Sequence, residues 1–306
     1  MTDALVDGLR SFNRTVTQRI GVLESEYLAR DRPLGQSRVL WEIGTQGSGP
    51  SGGCDIRELR ARLSLDSGYL SRLLRALEGG GLIEVSTADG DTRVRTARLT
   101  GAGRAELSEL DRRSDDLARS ILEPLSINQR QRLADAMAEV ERLFVASQVQ
   151  IAIMDTRSPE ARYCIRAYFE EIAARLENGF DPALALPAGD AELSAPAGML
   201  LVATLHEEPV GCGGLKLLRN ADEIIEAAEV KRVWISPDVR GMGLGKRILA
   251  ELERRAMTHG ARTIRLDTNR ALTEAIAMYR SAGYGEVAAF NDEKYAHHWF
   301  EKHLDT

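Results

Sequence analysis

The apolar positions of this chain change their period about halfway along it. Leu5, Leu9, Phe12, Val16, Ile20, Leu23 and Leu28 recur at near-helical spacing and predict one helix over the first 30 residues. A second helix carries Val39, Leu40 and Ile43, and the Gly/Ser/Pro run 47–53 predicts a loop. Asp55 then caps a short helix with Ile56, Leu59 and Leu63 inward. Asp66 or Ser67 caps the next helix, which turns Leu70, Leu73, Leu74 and Leu77 to one side and stops at Gly79-Gly80-Gly81. Residues 82–85 and 94–99 predict two strands joined through the Asp-Gly turn of 88–91. Two more helices, broken near Pro124, extend to about Ser147.

Beyond Val149 strands dominate. Residues 150–154 predict a strand, and Ser158-Pro159-Glu160 opens a helix expected to run to about Glu177. Strands follow at about 199–205, 210–218 and 227–235, then a helix to near Gly260, a strand at 263–267, a helix at 272–281 and two short strands. The pattern predicts an α+β protein of two domains, a mainly helical one over 1–147 and an α/β one with a mixed sheet over 150–306, without a flexible linker.

Composition adds little and excludes some classes. Net charge is −6, and residues 1–150 hold 21 Arg, no Lys and 22 acids, so charge alone does not announce a nucleic-acid binder. Cys54, Cys164 and Cys212 are few and far apart, which argues against a disulfide framework or a zinc site. No metal is expected. Neither a secretory leader nor an apolar run of spanning length stands out, so a soluble cytoplasmic protein without membrane contact is the expectation.

The most informative stretch runs from Val233 to Arg247. An apolar strand ends near Pro237, a glycine-rich turn follows, and Ile248, Leu249, Leu252 and Ala256 mark an amphipathic helix. That order makes an anion site, because glycines let the backbone approach a phosphate and a helix N-terminus offers unpaired N–H groups. Lys246 is followed by Arg247 rather than Ser or Thr, so the turn is not a Walker loop, and the third glycine of a dinucleotide fingerprint is missing. Arg240, Gly243 and Gly245 read R-x-x-G-x-G. This resembles the pyrophosphate loop of the GNAT acetyltransferase superfamily, whose cosubstrate is acetyl-coenzyme A.

That resemblance spans about 150–306 and assigns roles. Arg240, Gly241, Met242, Gly243, Leu244, Gly245 and Lys246 would face the pyrophosphate, with Arg247 adding charge. The backbone near Trp234 and Ile235 would take the pantetheine arm and polarise the thioester. Glu229 matches the carboxylate that serves as general base, unless it only pairs with Lys231. Tyr279, in A-I-A-M-Y-R-S-A-G-Y, matches the tyrosine that protonates the departing thiolate, unless it is a core residue. Asn269 matches a residue contacting the cofactor arm, unless it caps the following helix. Arg162, Tyr163, Arg166 and Phe169, together with His297 and His298, are candidates for the acceptor side.

The first half resembles the MarR family of regulators over about 1–147. Helix, turn, helix and hairpin give the winged helix-turn-helix order, and Asp91-x-Arg93 with Leu99-Thr100 matches the wing. Val94 replaces a second basic residue found in many members. The resemblance implies contacts to double-stranded DNA from Ser67, Gly68, Tyr69, Ser71, Arg72 and Arg75 on the recognition helix and from Asp91, Arg93 and Arg95 on the wing. It also implies a homodimer made by residues 4–29 and 101–147. Together the halves imply a DNA-binding regulator joined to an N-acetyltransferase acting on a primary amine, with a small molecule as the expected acceptor. A non-catalytic acetyl-coenzyme A sensor and a protein lysine acetyltransferase stay open as alternatives.

Overall fold

The computed structural model describes residues 3–21, 27–46, 53–88, 91–176, 179–181, 184, 188–220, 222 and 224–304. The chain packs as two units, Met1–Ala136 and Met137–Thr306. The expected loop of 47–52, Leu23 and the turn residues Asp89 and Gly90 lie outside the described residues.

The first unit opens with α1 (Asp3–Arg19), not with one helix over 30 residues. A short 3-10 turn at Tyr27–Ala29 follows, with Leu28 and Ala29 in the left-handed region at φ 54° and 52°. Charge holds this turn in place. The Arg113 guanidinium donates to the carbonyls of Leu28 and Ala29 at 2.9 Å. Glu106, itself buried, takes Arg30 Nε at 2.9 Å and lies 3.4 Å from Arg32. Apolar spacing carries no trace of such a clamp, so the periodicity ran on through it.

After α2 (Leu34–Gln46) and a two-residue strand β1 (Cys54–Asp55), the helices α3 (Ile56–Leu63) and α4 (Ser67–Gly79) form the helix-turn-helix. Asp55 accepts from the Arg57 amide at 2.6 Å and Asp66 from the Tyr69 amide at 2.8 Å, so each aspartate satisfies an orphan N–H of its helix. Gly81, at φ 68°, ends α4. Its amide bonds the Glu78 carbonyl and that of Leu82 bonds Leu77, a closure that needs the left-handed residue glycine supplies. Strands β2 (Ile83–Ala88) and β3 (Asp91–Leu99) pair antiparallel, with β1 on the far edge of β3. β3 begins three residues earlier than the pattern implies, because its polar start offers no alternation to read. The core joins Val39, Leu40, Ile43, Leu59, Leu70 and Leu77. Helices α5 (Gly101–Leu122) and α6 (Ile127–Gln148) follow.

The second unit is built on a seven-stranded sheet of order β4-β5-β6-β7-β8-β10-β9. Its strands are β4 (Gln150–Met154), β5 (Gly198–Leu205), β6 (Glu208–Arg219), β7 (Ile225–Ile235), β8 (Thr263–Thr268), β9 (Gly285–Val287) and β10 (His298–His303). All neighbours pair antiparallel except β7 with β8. Helix α7 (Pro159–Arg175) covers one face, and α8 (Leu244–Thr258) with α9 (Thr273–Ser281) covers the other. Strand alternation divides the apolar residues between two cores: Leu200, Val202 and Cys212 join Ala161 and Cys164, while Leu201, Ala203 and Leu215 join Ile248, Leu252 and Phe300. No helix among the described residues is long and apolar enough to cross a membrane.

Two glycines of α5 test this packing. A Cβ on Gly103 collides with the Leu82 carbonyl, whereas one on Gly101 meets nothing within 4 Å. Gly103→Ala is expected to destabilise by about 1–3 kcal/mol, and Gly101→Ala to be neutral or stabilising by up to about 1 kcal/mol. Urea denaturation of the two variants side by side checks this; equal midpoints remove the close approach of α5 to Leu82.

Candidate functional site

Strand β7 organises the site. Its ladder to β6 shifts register between Cys212 and Gly214, opposite Arg232, which sits at φ 55°. A left-handed arginine costs about 1–2 kcal/mol, and the bulge frees backbone groups from the ladder. On its other edge β7 pairs with β8 only at Ala228↔Ile264 and Glu229↔Arg265. Past those positions the two parallel strands have no further ladder pairing. The opening leads into a cavity of about 420 Å³ lined by Lys231, Arg232, Asp267, Asn269, Tyr279 and, from α7, Tyr168 and Phe169.

Lys231 lies between two carboxylates, 2.5 Å from Asp267 and 3.1 Å from Glu229. Asn291 donates to the same two groups at 3.1 and 3.2 Å and accepts from Trp299 Nε1 at 2.8 Å. Burial opposes the Lys231 charge, but Asp267 and Glu229 outweigh it and raise its pKa above the ordinary lysine value. Glu229 is only 5% exposed and stands behind this network, outside the cavity lining. The strand neighbour considered as its partner, Lys231, does pair with it, beside Asn291.

Tyr279 is buried and faces the cavity. Burial, with Tyr168 and Asp267 nearby, pushes its phenol well above the ordinary range, so it stays protonated at any physiological pH. Its hydroxyl makes no hydrogen bond among the described residues. Tyr168 is shifted the same way, again first by burial. Asn269 lines the cavity, but its amide is engaged: Nδ2 donates to the Tyr295 carbonyl at 2.7 Å and Oδ1 accepts from the Ala271 amide at 2.9 Å. It fastens the 291–297 segment to the turn before α9.

The glycine turn opens an adjoining cleft of about 470 Å³ that shares Tyr168, Ile172, Val233, Leu272 and Ala275 with the first. Gly241 and Gly243 have φ of 80° and 75°, and a Cβ at either would stand in open space. Gly243 caps α8 without a side chain, so the first amides of the helix meet the cleft directly. Trp234, Ile235, Arg240, Leu244, Gly245 and Lys246 line it too, and Met242 packs on the apolar core. Two arginines expected to face a phosphate are occupied. Arg240 donates to the Ile235 carbonyl at 3.0 and 3.1 Å and pairs with Glu171 at 2.5 Å. Arg247 turns back to the carbonyls of Ala146 and Val149, the latter at 2.9 Å. Lys246 keeps its place in the cleft.

The expected acceptor residues separate. Phe169 lines the cavity, but Arg162, Tyr163 and Arg166 do not. Arg162 Nε reaches the Arg157 carbonyl at 3.3 Å, Tyr163 meets the Trp234 ring edge-on at 6.2 Å, and Arg166 lies 5.8 Å over Tyr163. His297 is exposed and uses its amide on the Thr268 carbonyl at 2.9 Å; His298 Nδ1 lies 2.7 Å from Glu286. Neither histidine lines the cavity. Tyr168, Lys231, Arg232 and Asp267, which do, carried no motif in the sequence.

In the first unit, α4 buries its four leucines and leaves Ser67, Gly68, Tyr69, Arg72 and Arg75 exposed, with Ser71 half-buried. Arg72 lies 5.6 Å over the Tyr69 ring and Arg75 Nε reaches the Ser71 carbonyl at 3.2 Å. Arg95 is exposed on β3, opposite Thr87. The backbone of Asp91 and Arg93 belongs to β3, and their side chains lie outside the described residues.

Comparison with known proteins follows these two units. Residues 163–284 match the model of the acetyltransferase (GNAT) family, and residues 31–93 match that of the MarR family. An IAA acetyltransferase of Azospirillum brasilense is 32% identical over 98 residues, which are 32% of this chain and 61% of that one. An uncharacterized N-acetyltransferase of Escherichia coli, YjgM, is 30% identical over 94 residues, 31% of this chain and 55% of that one. The chain thus spans little more than half the length of these relatives. A crystal structure of a GNAT-family acetyltransferase from Staphylococcus aureus aligns with a TM-score of 0.43 at 17% identity, covering 51% of this chain and all of that one.

The Lys231 network generates a stability prediction. Lys231→Met leaves the buried Glu229 and the half-buried Asp267 without their cation and is expected to destabilise by about 3–5 kcal/mol at neutral pH. Because the folded-state pKa is raised, the lysine's contribution is complete below its unfolded value of about 10.4 and is lost only as pH rises through the still higher folded value. The gap between variant and wild type in urea denaturation should therefore stay constant from pH 7 to 9. A gap that closes across that range would mean the ammonium is not held by Glu229 and Asp267.

Proposed function

We propose that this chain, which joins a MarR-family segment to a GNAT-family segment, is an acetyl-coenzyme A-dependent N-acetyltransferase coupled in one polypeptide to a DNA-binding regulator. The observation that carries the enzymatic reading is the continuity of the two clefts. A helix N-terminus behind left-handed glycines opens into the same groove as the β7 bulge and the Tyr279 phenol.

The amides at the start of α8 and the Lys246 ammonium would hold the pyrophosphate, and open space above Gly241 and Gly243 fits a group approaching the backbone closely. Acetyl-coenzyme A supplies the activated acetyl group. Backbone groups freed at the Arg232 bulge would take the pantetheine arm and the thioester carbonyl. Tyr279 stays protonated and would donate a hydrogen bond to the charge that develops on the departing thiolate beside it. The role that sequence assigns to Glu229 passes to the carboxylates that line the cavity, Asp267 and Glu293, with Glu229 holding Lys231 in register. The aromatic walls favour a small amine over a protein lysine.

For the first unit, the exposed polar face of α4 supports contact with the DNA major groove. Leu5, Leu9 and Phe12 of α1, which are 68%, 47% and 41% exposed, support burial against a second copy in a homodimer.

Two measurements test these readings. Tyr279→Phe should lower kcat about 10²-fold or more in a thiol-release assay, with the KM for acetyl-coenzyme A nearly unchanged, and Asp267→Asn should cost more than Glu229→Gln; an unaltered kcat removes Tyr279 from the chemistry. If acetyl-coenzyme A binds and no amine releases thiol, the sensor reading replaces the enzyme. On a duplex selected by the protein from a random pool, Arg72→Ala and Arg75→Ala should each weaken binding and reduce the salt slope by about 1. Slopes equal to wild type exclude phosphate contacts from these arginines.

A further inference from the structure

The cavity between β7 and β8 is lined by two adjacent cations, and they are unequally matched. Lys231 is matched by Asp267 and Glu229. Arg232, its neighbour, makes no hydrogen bond or ion pair through its guanidinium among the described residues. The group is half-buried, and burial lowers its pKa even though Tyr168, Cys212, Asp190 and Glu192 oppose that shift. Its closest partner is the Phe169 ring, with the guanidinium carbon 4.8 Å from the ring centre. A half-buried guanidinium whose donors find no hydrogen-bond partner among the described residues is costly, and the bulge holds it there in a left-handed backbone conformation. The missing partner is an anion.

That anion is not the cofactor's pyrophosphate, because Arg232 lines the cavity of Asp267 and Tyr279 and is absent from the glycine-turn cleft. Beside it runs an aromatic ladder. Phe169 stacks on Phe180 at 5.6 Å, and Phe180 meets Tyr295 at 4.8 Å, all three facing the cavity. The carboxylates Asp267, Glu293 and Glu192 line the same space. Cation, apolar wall and anion thus surround one space of about 420 Å³, enough for a single small molecule.

We infer that the acyl acceptor is an aromatic α-amino acid, its carboxylate held by the Arg232 guanidinium, its ring against Phe169, Phe180 and Tyr295, and its amine turned toward Asp267 and Glu293. This rests on the acetyltransferase reading for what happens next, but not for binding. The planar guanidinium suits a carboxylate through two parallel hydrogen bonds, which a ring alone does not offer an uncharged or purely cationic amine.

Matched pairs that differ by the carboxylate alone test it: L-phenylalanine against phenethylamine and L-tyrosine against tyramine, titrated calorimetrically into the full-length protein saturated with coenzyme A. The amino acid of each pair should bind about 10- to 100-fold more tightly. Arg232→Gln, checked for folding by its own coenzyme A titration, should reduce that ratio to near one. Equal binding within each pair, binding of neither member, or a preference that survives Arg232→Gln overturns the inference. Thiol release from acetyl-coenzyme A, measured on the same pairs, separates the two readings. Carboxylate-dependent binding without release keeps this inference and removes acetyl transfer to these acceptors; faster release with phenethylamine than with L-phenylalanine keeps acetyl transfer and removes the inference.

Discussion

The candidate site of the second unit depends on one departure from sheet regularity, the parting of β7 from both of its neighbours. Toward β6 the strand bulges at Arg232, and toward β8 it pairs at two positions and then separates. A continuous ladder there would satisfy every backbone group and leave no space between the strands. The parting is sustained from both faces of the sheet. On the α8 side, Gly213 lets the sheet approach so closely that a Cβ would stand 2.7 Å from Ile248. On the α7 side, Trp234 is anchored by its Nε1–H to Glu171 at 3.0 Å. With those two contacts fixed, the residues between have little freedom, and the strain at Arg232 persists because the packing around it dictates the path.

The same strand divides its side chains by function. Glu229 and Lys231 enter the network with Asp267 and Asn291, which closes the deep end of the opening electrostatically. Val230 joins the apolar core, and Arg232 takes the position that the bulge creates. A regular strand alternates faces with period two. The bulge breaks that period at the one place where a cation would otherwise have been turned from the cavity or left to solvent.

How far the sequence could be read depended on the range of the interactions involved. The helix-turn-helix was legible because Asp55 and Asp66 act on amides two and three residues ahead and the leucines of α4 repeat with the helix. The strand, glycine turn and helix from Val233 to Leu252 were legible for the same reason. The 3-10 turn at Tyr27–Ala29 was not, because the residue that clamps it, Arg113, lies more than eighty positions away. The cavity was legible in part. Tyr279 and Asn269 sit in local motifs, but Lys231, Arg232 and Asp267 become a site only when β7 and β8 are laid side by side, and a register shift of one residue at the bulge decides which of them face inward.

Arg240 shows how a motif residue can carry structural contacts that its motif does not announce. Its position before the glycines suggests a phosphate ligand, yet its guanidinium spans the Ile235 carbonyl and Glu171. Glu171 also takes Trp234 and pairs with Arg175 at 2.8 Å, and Arg175 reaches Glu274 on α9 at 3.0 Å. The chain Arg240–Glu171–Arg175–Glu274 therefore ties the end of β7, α7 and α9 together around the glycine cleft. Its acids are matched by its bases, so it adds little net field to the cleft. Attraction for an anion there must come from the amides of the α8 N-terminus and from Lys246, dipoles and a charge that stand in the lining itself. An arginine released from Glu171 to meet a phosphate would also let go of the Ile235 carbonyl at the end of β7, so holding the turn in shape is the role its contacts support.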